Sequence, residues 1–174
     1  SEMCIRDSPR GGTYRAGMMS PESLENADDN IARWFETEFG GTVVSLARQT
    51  RWRPVWFATV ERDGTRHELV VRGDRTDMPL IFPLDHEMRF QQVLGDHGIP
   101  VATVRGWIDE PMAYVMDRVA GQEHFPDVPD DERESAVDDY VSILARIHAL
   151  PLEPFVEAGI RRADDPTEAG LVGL

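Results

Sequence analysis

Ala113-Tyr114-Val115-Met116-Asp117-Arg118-Val119-Ala120-Gly121 divides the chain into two unlike parts. It opens as an apolar, β-branched run, the pattern of a buried strand. It turns polar at Asp117-Arg118 and closes on Gly121, a residue that tolerates a backbone turn. Before it, short strand patterns alternate with two helices. After it come a Pro/Asp-rich linker over 122–130 and one long amphipathic helix. A strand that joins a strand-rich lobe to a helical one forms the floor of a cleft, where small ligands bind.

Working back towards the start, residues 101–108 and 113–119 read as the fourth and fifth strands. Residues 84–94 form a helix ended by Gly95, Gly98 and Pro100. The turn Arg62-Asp63-Gly64-Thr65 joins strands at 55–61 and 67–72 into a hairpin, and a further strand lies at 42–46. Ser20-Pro21-Glu22 has the form of a helix start: an N-cap, a proline at the first helical position and an early acid. Leu24, Ala27, Ile31, Trp34 and Phe35 then mark one apolar face, and Gly40-Gly41 ends the helix. Residues 1–17 have no periodicity and no apolar core of a signal peptide; they read as an unstructured, non-native scar. In the second part the helix predicted over 131–150 carries Ala136, Val137, Tyr140, Val141, Leu144 and Ile147 on one side, an apolar stripe that a complete second lobe would bury and that this chain is expected to expose. From Pro154 only a weak turn at Phe155-Val156-Glu157-Ala158 and a disordered-looking tail follow.

Composition narrows the function. With 41% hydrophobic and 29% charged residues the chain is of soluble globular type, and no apolar run approaches a membrane span. One cysteine fits a reducing, cytoplasmic setting. A net charge of −14 argues against non-specific nucleic-acid binding. All 18 basic residues are arginine, so lysine Schiff-base chemistry is excluded and any phosphate-binding cation must be Arg.

One charged pair stands out. Arg72 follows the apolar Leu69-Val70-Val71, and Glu87 shares a helical face with Phe90 and Leu94, at spacings of three and seven. A carboxylate facing a core needs a partner, because desolvating it alone costs several kcal/mol. The helix after a hairpin packs against it, which makes Arg72 the best-placed partner. Other chemistries have little support. His86-Glu87-Met88-Arg89-Phe90 starts like a zinc-protease helix but has Phe90 where the second histidine must stand. Asp85/His86 and Asp96/His97 are too far apart along the helix for one ion. No Gly-x-Ser-x-Gly occurs, and Cys4 lies in the excluded segment.

A strand-borne cation paired with a helix-borne glutamate is the device with which protein kinases hold nucleotide phosphates. Leu69-Val70-Val71-Arg72, His86-Glu87, Gly98-Ile99-Pro100-Val101, residues 114–121 and Leu144-Ala145-Arg146-Ile147-His148-Ala149-Leu150 stand in the right order. Over roughly residues 22–155 the chain resembles the amino-terminal part of the aminoglycoside phosphotransferase family, small-molecule kinases of kinase-like fold. It is most similar to broad members that resemble the kinase-like domain fused to acyl-CoA dehydrogenases. The resemblance implies an α+β fold: a kinase-like N-lobe and hinge over 18–121, with a five-stranded, mostly antiparallel sheet. The start of a helical C-lobe follows over 122–174.

It also implies ATP or GTP with Mg2+ as cofactors and a small-molecule hydroxyl as acceptor. Arg72 takes the place of the phosphate-binding basic residue, and Glu87 orients it. Met116 stands behind the adenine pocket, and the Asp117 carbonyl and Val119 N–H pair with the adenine edge. The loop with Arg48, Arg51 and Arg53 covers the phosphates. That loop has no glycine, and whether its arginines clamp nucleotide or an acidic substrate such as a phosphorylated sugar stays open. The family's His-Gly-Asp segment, which carries the catalytic base, has no counterpart: no His-x-Asp occurs in the 174 residues. No catalytic or metal-binding residue is therefore assigned, and the expectation is a truncated copy, inactive alone. The alternative is a non-catalytic interaction module built on the same lobe.

Overall fold

The computed structural model describes residues 25–49, 53–74, 82–121 and 128–160. Helix α1 (Ala27–Trp34) runs on into a π-helical turn at Phe35–Phe39. Its predicted start at Ser20-Pro21-Glu22 lies outside the described residues. The wide turn keeps Phe35 and Phe39 both buried, with ring centroids 6.0 Å apart. Gly40 then ends it at φ 74°, a left-handed conformation that costs glycine little.

Five strands follow: β1 (Thr42–Gln49), β2 (Val55–Arg62), β3 (Thr65–Gly73), β4 (Val104–Ile108) and β5 (Ala113–Asp117). They form one sheet in the order β1-β2-β3-β5-β4, every pair antiparallel. The β2–β3 hairpin closes at Arg62↔Thr65, with Asp63 and Gly64 both at positive φ. That is the two-residue turn whose twist suits a hairpin. Helix α2 (Leu84–Asp96) lies between β3 and β4 in the chain. Helix α3 (Asp130–His148) and the short α4 (Glu153–Glu157) come last. The result is α+β, a five-stranded antiparallel sheet with helices, in keeping with a kinase-like N-lobe. No helix among the described residues is long and apolar enough to cross a membrane.

Strand alternation gives the sheet two faces. Trp56, Ala58 and Val60 of β2, Leu69 and Val71 of β3, and Ala113 and Val115 of β5 join Ala27, Ile31 and Phe35 in one buried cluster. Gly106 of β4 allows Trp34 to close that core, since a Cβ there would fall 2.5 Å from the indole. The intervening residues Val70, Arg72, Tyr114 and Met116 face the side on which α2 lies.

Several sequence expectations need correction. The fourth strand begins at Val104 rather than 101, and the fifth stops at Asp117, leaving Arg118 to Gly121 exposed. Helix α2 passes through Gly95 to Asp96, and the chain reverses at Gly98, φ 72°. No residue of α3 is buried. On its apolar side Val137 is 53%, Tyr140 66% and Val141 56% exposed, with Ala136 and Ile147 half-buried. The apolar stripe of α3 is thus exposed, as expected. The weak turn expected at 155–158 is α4, and it is docked: its Phe155 packs on Phe90 of α2 at 5.1 Å.

Candidate functional site: a glutamate between two arginines

Arg72 lies near the end of β3, in register with Val55 on one neighbour and Tyr114 on the other. Because Leu69 and Val71 fill the α1 face, Arg72 points to the α2 face. There its Nη2 donates to Glu87 Oε1 at 2.8 Å. Glu87 is in the first turn of α2, where a carboxylate also meets the positive end of the helix. The anticipated pair is therefore present.

A second arginine shares that carboxylate. Arg53 Nη1 donates to Glu87 Oε2 at 2.7 Å, and the Arg53 side chain is only 8% exposed. The loop reading of Arg53 gave no hint of this contact, yet the hairpin carries it. Counting outward from Asp63-Gly64, Val55 faces Arg72, and Arg53 falls two residues further along the same face.

Burial alone would raise the Glu87 carboxyl. The hydrogen bond and charge of Arg72, and then those of Arg53, outweigh it and hold the group below the ordinary carboxylate range. Glu87 is thus ionised at neutral pH. The Arg72 Nε is buried and has no hydrogen-bond partner among the described residues. A buried N–H in that state is costly unless an acceptor reaches it, and an anionic oxygen is the strongest acceptor for a guanidinium.

One turn further along α2, Gln91 connects the helix to the sheet. Its Nε2 donates to the Ala102 carbonyl at 2.6 Å and lies 3.5 Å from the Met116 sulfur. Its Oε1 accepts from the Tyr114 hydroxyl at 3.3 Å. Burial foremost raises the Tyr114 pKa, which keeps that hydroxyl a donor. Gln91 and Tyr114 were not singled out in the sequence. The i, i+4 spacing from Glu87 was the available signal for Gln91.

Met116 stands in one row across the sheet with Val70 and Phe57, all on the α2 face. Next to this row, the Asp117 carboxylate takes both Nε and Nη2 of Arg105 at 2.7 Å. Arg118 lies over the Phe57 ring, 4.3 Å from its centroid. Val119 is 71% exposed just past the strand. The structure therefore brings Arg72, Glu87 and Arg53 together, and sets Met116, Asp117 and Val119 along the adjoining strand end. Arg48 is not among them. β1 runs on to Gln49, so Arg48 sits in the ladder opposite Trp56 and its guanidinium lies over that indole, 5.6 Å from the centroid, on the α1 face. Arg51 lies outside the described residues.

Among the described residues, no group of three or more His, Cys, Asp or Glu could hold a metal ion. A family model described as the phosphotransferase enzyme family matches residues 51–172. No curated protein and no solved structure matches the chain.

Proposed function

Since the chain belongs to the phosphotransferase enzyme family, we propose that it forms the nucleotide-binding side of a small-molecule phosphotransferase, acting with ATP or GTP. In that reaction the bond between the γ-phosphorus and the β–γ bridging oxygen breaks. A new bond forms from the phosphorus to a hydroxyl oxygen of the acceptor. The hydroxyl proton passes to a base, and the nucleoside diphosphate leaves.

The share of this chain is binding and charge balance. Arg72, its side chain 31% exposed, offers its positive charge to phosphate oxygens, while Glu87 fixes the guanidinium through Nη2. Arg53, bonded to the other oxygen of Glu87, holds that carboxylate in place from the β1–β2 side. The row Phe57, Val70 and Met116 supplies an apolar wall for the base, with the Asp117 carbonyl and Val119 N–H as its edge partners. Mg2+ would supply neutralisation of the phosphates. Its ligands are not gathered among the described residues.

The observation that carries the reading is a strand-borne arginine locked to a helix-borne glutamate while its side chain stays partly exposed. The likeness to kinase-like domains fused to acyl-CoA dehydrogenases and a cytoplasmic setting belong to the same proposal. A non-catalytic interaction module is the second reading, favoured by the exposed Val137, Tyr140 and Val141 of α3.

Titration with ATP, GTP and adenosine, followed by tryptophan fluorescence, tests the first reading. A triphosphate should bind about tenfold or more tightly than the nucleoside, a difference of about 1.4 kcal/mol. Arg72→Met should abolish that difference. Equal affinity for nucleoside and triphosphate would contradict it.

A further inference from the structure

Helix α2 is held by the carboxyl-terminal helices as well as by the sheet. In its second turn, Arg89 reaches the last carbonyls around α4. Its Nη1 donates to Ala158 O at 2.8 Å and to Gly159 O at 3.3 Å. Nη2 holds the Asp85 carboxylate at 2.8 Å, and Nε the Asp85 carbonyl at 3.3 Å, so the guanidinium is fixed within α2 before it reaches out. The neighbouring Phe90 ring lies against Phe155. At the far end, Arg146 of α3 donates to Gly98 O at 2.5 Å.

The Arg89 contact has the chemistry of a helix cap. Carbonyls at a helix C-terminus lack intrahelical donors and carry partial negative charge, which a cation satisfies. The fit is tight on the other side too. Gly159 stands at φ +72°, and a Cβ there would come 2.6 Å from Arg89 Nη1. Any other residue would push the guanidinium away. On the sheet side, by contrast, Gln91 makes the polar contacts that join α2 to β5. The angle at which Glu87 meets Arg72 and Arg53 depends on both grips, because all of them act on the same two turns of helix.

We propose that Arg89 is a positioning residue: by docking the 153–160 turn on α2 it sets the Glu87 carboxylate and, through it, the guanidinium that receives the phosphates. Its functional consequence rests on the nucleotide reading above; its geometry does not. By linkage, triphosphate binding and docking of the turn strengthen each other.

Hydrogen exchange tests the docking and a binding ratio tests the consequence, both on Arg89→Leu and Arg89→Lys. Loss of the charge-assisted bonds in Arg89→Leu should speed exchange of the 87–91 and 153–160 amides together, by about tenfold. Arg89→Lys, which can still cap one carbonyl, should recover part of that protection. The ratio of ATP to adenosine affinity should fall about fivefold in Arg89→Leu, the lower end of site-to-site coupling, with adenosine affinity unchanged. Unchanged exchange in 87–91 would overturn the proposal. So would an equal loss of ATP and adenosine binding, which is what general destabilisation gives. If Arg89→Leu does not fold, Arg89→Lys carries both readouts: intermediate protection with a lowered ratio supports the proposal, and wild-type values overturn it. Were the unaltered chain to bind no triphosphate, the nucleotide reading would fail by itself, and the exchange data would still decide whether Arg89 sets α2.

Discussion

On the α1 face of the sheet, Trp56, Val60, Leu69, Val71 and Val115 are wholly buried, and every one of them is apolar or aromatic. On the other face, one residue along the same strands, stand Arg72, Tyr114 and Met116, which engage the polar side chains of α2. Alternation along β3 is enough to separate them: Leu69 and Val71 go to one side, Val70 and Arg72 to the other. The first face is a dry core whose contacts depend on area. The second holds charges that must be matched one by one, and it is there that the buried Arg72 Nε has no hydrogen-bond partner among the described residues. The same backbone thus holds a stabilising face and the proposed binding face, and the two should respond to different perturbations.

Truncating the dry face should have the larger effect. Trp56→Ala removes a fully buried indole and its Nε1 hydrogen bond to Asp28, and should cost about 3–5 kcal/mol in chemical denaturation. A cost below about 1 kcal/mol would mean that this face is not the core. Glu87→Ala, on the binding face, takes the carboxylate from a buried Arg53 and a half-buried Arg72. Glu87 is 39% exposed and partly screened, so the expected cost is about 2–3 kcal/mol, below the range for a fully buried pair. Loss of the triphosphate preference should accompany it, whereas Trp56→Ala should spare that preference under conditions where the variant is folded.

Acid separates the faces without mutation. The Glu87 carboxyl is held below 4.5, so its stabilisation is complete above that pH and is lost as pH falls through the lower folded value. His86 acts in the same direction at higher pH. Burial first, and then the Arg89 charge, lowers it below 6.5, so the unfolded chain takes up the proton sooner than the folded one. The melting temperature should therefore begin to fall below pH 6.5 and fall more steeply below 4.5, and Glu87→Gln should flatten the second step. A Glu87→Gln profile that parallels the wild type would remove the carboxylate from the account. The smallest effect is expected at Arg48. Its contact is a cation–π pair between an exposed guanidinium and the buried Trp56 indole on the α1 face, so Arg48→Ala should cost about 0.5–1 kcal/mol and leave nucleotide affinity unchanged. A clear loss of affinity would put Arg48 on the binding face after all.

Much of this division was legible in the sequence, for identifiable reasons. Asp63-Gly64 sets the hairpin register, and the register sets which of Val71 and Arg72 faces α2. The spacing in α2 put Glu87 on one side with Leu94, which is buried, but Phe90 of the same spacing is 38% exposed and packs on Phe155. Arg53 was read as a loop residue because a short stretch without periodicity gives no facing; only extending the hairpin count past Val55 brings it to Glu87. Arg48 was misplaced for the opposite reason: its strand continues to Gln49, and a residue inside a ladder takes its facing from the partner, here Trp56. The docking of α4 on α2 depends on Arg89 reaching 69 residues along the chain to Ala158. No local pattern encodes that contact. The apolar side of α3 was legible from its spacing, and so was its exposure.

A double-mutant cycle on ATP affinity, with Arg72→Met, Glu87→Gln and the pair together, tests most directly whether the binding face works as a unit. If Glu87 acts by fixing the Arg72 guanidinium, its loss should matter little once that guanidinium is gone. The coupling should then be about 1–3 kcal/mol, in the range of residues in direct contact. Strictly additive losses, within about 0.3–0.5 kcal/mol, would mean that the two residues act separately and that no Arg72–Glu87 phosphate site exists.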